Sequence, residues 1–552
     1  MKKTIKENNF NILCWSAVFI TVAMTPWINS DSLIIPKLIA LFCLALFFFP
    51  KILVLRNNLL IDYQGRLLFI LVLLVVIQML IVIQISSAPI EQQIFGRTGR
   101  GLGFITEVSL VIILVAAAQL ISKEKIRILL LCLIVSCFVS STYSVLQRFN
   151  LDIFDWTTRT NGIIGTLGNP NFQSSFATMA IFPTFAYFWG VKNKKIYSLL
   201  FTTPLLAIIY ISESTQGYVT ALATGIVFGI IFFWFKNRTV SFSLLVFFVI
   251  SGGIALAGML NKGPLSTYLY KVSVQSRGDF FRTSITIAND NPLFGVGLDS
   301  LGDYYLMYRD ERTAASVGEF TDNSHNLFLN YASTGGYPLA ILHALIVLLV
   351  LYSFFRLQKN IGVFDRHISA IFCSWFCYQL QSVISPANIP MLTWNALISG
   401  SIIGLAIRNT NEKISINSEV KLQFIKPFSG FLLIIGIVVT YPYFNVDRQQ
   451  LTSTKTGDAN LALLAAKSYP ESTLRYARIG QEFIKSNLPM PALDLARAAV
   501  KFNPNAPSAW GLVLVNSYAP KEERLKAQQE LLRLDPFNKE VRNLVIPDTP
   551  AP

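Results

Sequence analysis

The sequence predicts an all-α fold: a polytopic helical membrane protein of about 13 spans followed by an extracytoplasmic helical-repeat domain. Three observations predict it. Of 552 residues, 53% are hydrophobic and 14% charged, with a mean hydropathy of +0.51; a soluble globular chain carries about 25% charged residues. The apolar residues come in runs of about 20, enough for one helix to cross a bilayer. Basic residues recur in every second connection between those runs, as they do in cytoplasmic loops. Together these exclude a soluble enzyme and a disordered chain, and continuous apolar runs exclude an alternating membrane β-barrel.

The runs lie near 10–28, 33–50, 67–86, 103–121, 127–147, 172–190, 196–212, 217–235, 240–261, 335–355, 367–385, 391–407 and 425–443. The first is followed by Pro26-Trp27 and has no small-x-small cleavage site, so it reads as a retained span. With Lys2, Lys3 and Lys6 inside, the inner connections carry Lys51/Arg56/Arg66, Lys123/Lys125/Arg127, Lys192/Lys194/Lys195, Lys236/Arg238, Arg356/Lys359/Arg366 and Arg408/Lys413/Lys421/Lys426. The opposite connections at 29–32, 213–216 and 386–390 have no basic residue. The formal net charge of +15 therefore sets topology and calls for no nucleic acid. The N-terminus is expected inside and the C-terminal segment outside. All six cysteines fall within or beside apolar runs, which leaves no disulfide framework or zinc pattern for the soluble parts.

Three connections on the outer side are long: 87–102, 148–171 and about 263–330. Long connections within compact domains are usually functional. Gly, Asn and Pro in GTLGNPN (165–171) and NPLFGVG (291–297) favour tight turns at the membrane surface. Beyond residue 446 the composition turns polar, with apolar residues at helical spacing. Pro470, Pro504 and Pro536 recur at intervals of 34 and 32 residues, close to the tetratricopeptide period. The expected division is a membrane domain at 1–445, with a catalytic loop at about 263–330, and a tetratricopeptide-like domain at 446–552. An unrelated helical bundle with proline-ended helices is the plainer reading of the latter.

Several segments carry a resemblance. FGRTGRGLG (95–103), GTLGNPN (165–171), Arg277 ahead of Phe280-Phe281, NPLFGVG, and HN-x-F-L at 325–329 followed by Gly335-Gly336 occur in that order on the outer side. In this they resemble the O-antigen ligase and polymerase superfamily, integral membrane glycosyltransferases of the GT-C kind. The resemblance implies transfer of a glycan from undecaprenyl diphosphate to an acceptor hydroxyl, at the outer face of the bacterial cytoplasmic (inner) membrane. It implies inversion at the anomeric centre and no metal or cofactor. Three acceptors fit: a lipid A core, a growing glycan or a protein hydroxyl. Membrane lipid surrounds the chain, and the 446–552 region offers a surface for a protein partner.

The residue chemistry suits that reaction. A guanidinium binds two phosphate oxygens at once, which favours Arg277 and then Arg282 for the leaving diphosphate. His325 is the only one of three histidines expected at the outer surface, and imidazole takes a proton at neutral pH. His325 and Arg277 are therefore the expected catalytic pair. Many superfamily members carry Ser-Arg-Gly at the outer start of the eighth span, where this chain has Gln216; Arg97, Arg100 and Arg159 are candidate replacements. Asp279, Glu319, Asp322 and Asn326 are candidates for orienting His325 or the substrate. Set against these, a membrane-surface arginine often anchors headgroups, and a histidine before a helix often serves as a cap. Different-class alternatives are a transporter or flippase of lipid-linked glycans and a non-catalytic assembly protein. Transporters, however, place polar residues near the midplane, and here candidates gather on one face.

Overall fold

The computed structural model describes residues 4–154, 156, 163–189, 195–316, 320–410 and 419–547. Among these, every regular element is helical. Arg159 and Glu319 lie outside the described residues.

Each of the thirteen apolar runs falls on a helix. Eight of these helices are long and apolar enough to cross a membrane, from Ile35–Leu55 to Ile425–Thr456, and three more are apolar but shorter: Asn9–Val22, Phe104–Leu120 and Ile196–Ile211. The remaining two, Pro170–Phe188 and Arg366–Ser382, are the polar ones, and their position explains why. They pack on each other and are buried along most of their length. Several polar side chains at this depth bond across the pair: Ser175 Oγ donates to Gln381 Oε1 at 2.6 Å, and Ser374 Oγ to the Met179 carbonyl at 2.6 Å. Intramembrane polar groups persist where the bundle interior supplies partners. The lipid-facing rows are apolar and exposed, including Leu73, Phe242, Val249, Leu348 and Val438.

The connection at 263–330 is itself helical, with Ser266–Leu269, Val272–Asp290, Leu301–Tyr308 and Glu311–Ser316. Val272–Asp290 packs on Leu327–Ile361. The latter is broken at Gly336, whose φ of 80° and ψ of 166° are non-helical, two residues ahead of Pro338. A kink frees carbonyls that the helix no longer uses. The NPLFGVG turn fills the gap: Val296 N–H donates to the Ser333 carbonyl at 2.9 Å and Gly297 N–H to Thr334 at 3.1 Å. Tyr337 N–H returns a bond to the Pro292 carbonyl at 2.8 Å, and Gln78 Nε2 joins both strands of chain by donating to Leu293 and Gly335 carbonyls. The backbones are so close that a Cβ on Gly336 would stand 2.3 Å from the Leu293 oxygen, and one on Gly295 would stand 2.4 Å from the Thr334 carbonyl carbon. NPLFGVG and Gly335-Gly336 are thus two halves of one backbone lock.

Beyond Thr456, six further helices from Ala459–Lys467 to Lys539–Asn543 pack in sequence, each mainly on its neighbours. They have apolar cores of their own around Tyr476, Phe483 and Leu495, and around Trp510, Leu531 and Leu534. They also dock on the connections that precede the broken helix. Arg309 pairs with Asp535 at 2.8 Å, both nearly buried, and Asn503 Nδ2 donates to Asp303 at 2.9 Å.

Candidate active site

His325 sits in a tight loop, with φ of 54°, immediately ahead of the Leu327–Ile361 helix. A non-glycine residue in the left-handed region is uncommon and must be held there by its surroundings. Its own N–H donates to Asn323 Oδ1 at 3.0 Å, and Ser324 Oγ bonds Ser284 Oγ at 2.8 Å, tying the loop to Val272–Asp290. Phe280, from that helix, lies against the imidazole with ring centroids 4.9 Å apart. Nδ1 is 3.1 Å from the Asn323 carbonyl. A carbonyl only accepts, so the ring hydrogen is assigned to Nδ1 and Nε2 carries the lone pair. Among the described residues, Nε2 has no protein hydrogen-bond partner. Burial lowers the His325 pKa from 6.5 to about 4, the charges of Arg100 and Arg277 push the same way, and the Asn323 carbonyl opposes them. The ring is neutral at pH 7 and able to accept a proton.

The four described candidate arginines have different partners. Arg97 Nη1 bonds Asp303 at 2.7 Å in a pair almost fully buried. Arg100 grips Asp322 through both Nε and Nη2, the shorter contact being 2.7 Å. Arg282 pairs with Asp279 one turn away, and its Nε is 3.8 Å from Asp310. Arg277 differs. Nη1 donates to the Ser273 carbonyl at 3.1 Å, Nε is buried with no partner, and no carboxylate pairs with it among the described residues. Burial alone lowers its pKa. Five residues of helix put Arg277 and Arg282 about 140° apart round the axis, so the two address different surroundings.

The candidate orienting residues are engaged with protein groups. Asp279 holds Arg282, and Asp322 holds Arg100. Burial pushes the Asp322 carboxyl up, but Arg100 and Arg97 outweigh it and hold the pKa below its usual range. Asn326 Oδ1 accepts from Leu329 N–H as the helix cap, while Nδ2 donates to the Val383 carbonyl at 3.2 Å. Gln216 bonds the next residue along, donating to the Ile384 carbonyl at 3.3 Å and accepting from Ser385 Oγ at 2.9 Å. Asn326 and Gln216 therefore meet at the 383–385 turn, and that turn links the His325 loop to the start of Thr215–Trp234.

Two residues that the sequence does not single out organise this face. Asp299 is buried and accepts the N–H groups of Arg97 at 2.8 Å and Leu102 at 3.0 Å, so it folds the FGRTGRGLG loop. Burial raises its pKa to about 6. Asp303 takes Arg97, Gln92 and Asn503 together. Both directly follow NPLFGVG in GVGLDSLGDYY, where acidic residues on a turn are a weak signal until their partners, some 200 positions away, are known.

This division predicts separable effects. Breaking one side of a buried ion pair costs about 3–5 kcal/mol. Arg97→Ala is therefore expected to lower the melting temperature of the purified protein sharply by leaving Asp303 buried and unpaired. An unchanged melting curve would show that the pair does not support the fold.

No curated protein matches the sequence. The family described as O-antigen ligase matches residues 199–344, a stretch that runs from within Lys195–Ile211 into the broken helix. Gln216, Arg277, Asp279, Arg282, Asp322, His325 and Asn326 all lie inside it, whereas Arg97 and Arg100 lie outside and reach it through Asp303 and Asp322. Over residues 199–344 the chain is similar to the O-antigen ligase family.

Proposed function

We propose that this protein is an inverting membrane glycosyltransferase. It moves a glycan from undecaprenyl diphosphate to an acceptor hydroxyl at the outer face of the bacterial cytoplasmic membrane. One observation carries the reading: within the stretch that matches the O-antigen ligase family, a neutral histidine with an unengaged Nε2 faces the field of a half-buried arginine that has no carboxylate partner among the described residues.

In this reaction the acceptor hydroxyl gives its proton to His325 Nε2 as its oxygen attacks the anomeric carbon. The bond from that carbon to the diphosphate oxygen breaks, and its electron pair leaves with the diphosphate. Arg277 binds the oxygens on which charge grows, an interaction that strengthens in the transition state. The diphosphate also offsets the positive field at His325, which raises the basicity of the ring once the donor is bound. Arg97, Arg100 and Arg282 contribute positive potential while their carboxylates hold them in place, and Arg159 and Glu319 remain candidates on the same outer side. Asp322, Asp279, Asn326 and Gln216 position the loops around the pair. The helices beyond Thr456, read as tetratricopeptide-like, would present an acceptor, a reading supported by the concave surfaces that stacked helix pairs make.

Detergent-purified protein, given an undecaprenyl-diphosphate glycan and an acceptor, is expected to release undecaprenyl diphosphate and form glycosylated product. A flippase needs two compartments and makes neither. A reporter fused after residue 457 is expected to be active outside the cytoplasm. Absence of product with every acceptor class, or an internal reporter, would overturn the proposal.

A further inference from the structure

A second site lies at the far end of the membrane domain. The Leu327–Ile361 helix begins beside His325 and, after its break at Gly336, continues to Ile361 for about 37 Å. Just beyond that end is a cavity of about 750 Å³. Its wall is aromatic: Phe182, Phe185, Trp189, Phe228, Phe232 and Phe364. The rings support one another, with Phe182 stacked on Phe228 at 4.7 Å and Phe364 edge-on to Phe232 at 5.1 Å. Two of the rings, Phe185 and Trp189, are open to the surroundings at 42% and 67% exposure.

The rim is basic. Lys236, Arg366 and His367 line it, and no ion pair engages Lys236 or Arg366 among the described residues. Arg127, whose guanidinium lies 5.3 Å from the Tyr187 ring centroid, adds its charge near His367. Asp365 is the one acidic residue lining the cavity, and its Oδ1 accepts the N–H groups of His367 and Ile368 at the helix start. His367 Nε2 is buried and has no partner. An unsatisfied polar atom of this kind costs free energy unless a ligand or water meets it.

We propose that this cavity is a binding site for an anionic phospholipid. One acyl chain lies along the aromatic wall, and the phosphate is held by Lys236, Arg366 and His367 Nε2. Both halves of the cavity are needed for this choice. A soluble anion has no use for six rings, and an uncharged polyprenyl tail has no use for the cations. Basic pockets between membrane helices on the cytoplasmic side suit anionic headgroups. The site is independent of the transfer chemistry at His325; only its assignment to the inner leaflet rests on the proposed topology.

The test is native mass spectrometry of the full chain in detergent with phosphatidylglycerol or phosphatidylcholine as probe, repeated in excess inorganic phosphate. Wild type is expected to retain phosphatidylglycerol with about tenfold preference, and the Lys236→Gln/Arg366→Gln double variant to lose that preference. Inorganic phosphate should compete only weakly, because it lacks the acyl chain. Equal retention of both lipids by wild type would overturn the proposal, and that arm needs no variant to fold. Undiminished preference in the double variant would overturn it too, as would full displacement by phosphate, which would mark a free-anion site. Glycan transfer by the double variant is expected to stay near wild type, so failure here and failure of the transferase reading are distinguishable.

Discussion

Arg277→Ala is expected to cut glycan turnover by about 10²- to 10³-fold, the usual scale for removing a group that stabilises charge in the transition state. The protein should stay inserted, and its melting temperature should hold or rise. The structure gives the reason for that combination. Arg277 is half-buried, its Nε is buried without a partner, and no carboxylate offsets its charge among the described residues. A half-buried charge whose Nε finds no partner adds little to the fold, so its removal should cost little stability while disabling the site. Arg97→Ala should do the reverse, because Arg97 is matched to Asp303. Arg277→Lys is expected to restore only part of the turnover, since an ammonium cannot make the two-oxygen contact. Turnover and melting temperature, measured on the same preparations, check this. A destabilised Arg277→Ala protein with near-normal turnover per folded molecule would refute the assignment.

His325→Ala is expected to lower turnover by about 10²- to 10⁴-fold through loss of proton transfer. The pH dependence follows from the ring's environment. Burial, reinforced by Arg100 and Arg277, lowers the pKa to about 4. A base works only when unprotonated, so the activity of the free enzyme should be flat above about pH 5 and fall as the pH drops through about 4. Arg277→Gln removes one of the charges that disfavour protonation. Its residual activity should therefore show the acid limb at higher pH than wild type, a shift that a purely structural arginine would not produce. An acid limb near 6.5 in wild type, or no limb shift in Arg277→Gln, would contradict the coupling of the two residues.

The legible and illegible parts of this molecule divide by the range of the interactions. Hydropathy is a local property, and each apolar run in the sequence falls on a helix among the described residues. The two weakest runs, at 172–190 and 367–385, are weak because Ser175, Ser374 and Gln381 bond within the bundle interior rather than face lipid. Composition alone does not show that. NPLFGVG is readable as a turn from its Pro and Gly residues. Its purpose appears only when Gly336, some 40 positions on, meets Leu293 at a distance no side chain allows. The arginines make the same point more sharply. In the sequence, Arg277 and Arg282 rank ahead of Arg97 and Arg100, but nothing there shows which of the four is paired. Arg97 and Arg100 owe their ion pairs to carboxylates 206 and 222 residues away, and these contacts leave Arg277 as the exception. His325 stands out in the sequence by its position, whereas its tautomer and low basicity depend on the Asn323 carbonyl and on burial by the neighbouring helix. Fold class is encoded in each segment by itself; the site is encoded in pairs.

The most direct test of the proposed His325–Arg277 pair separates binding from chemistry in the two alanine variants. Donor affinity and single-turnover rate are measured side by side with an undecaprenyl-diphosphate glycan in detergent, at matched protein levels. His325→Ala should bind donor as wild type does and fail to turn it over, because proton transfer belongs to the transition state. Arg277→Ala should lose both affinity and rate, because the same guanidinium meets the diphosphate before and during its departure. Turnover near wild type in both variants, or weakened binding in His325→Ala with an intact rate, would contradict the assignment of base and diphosphate ligand to these two residues.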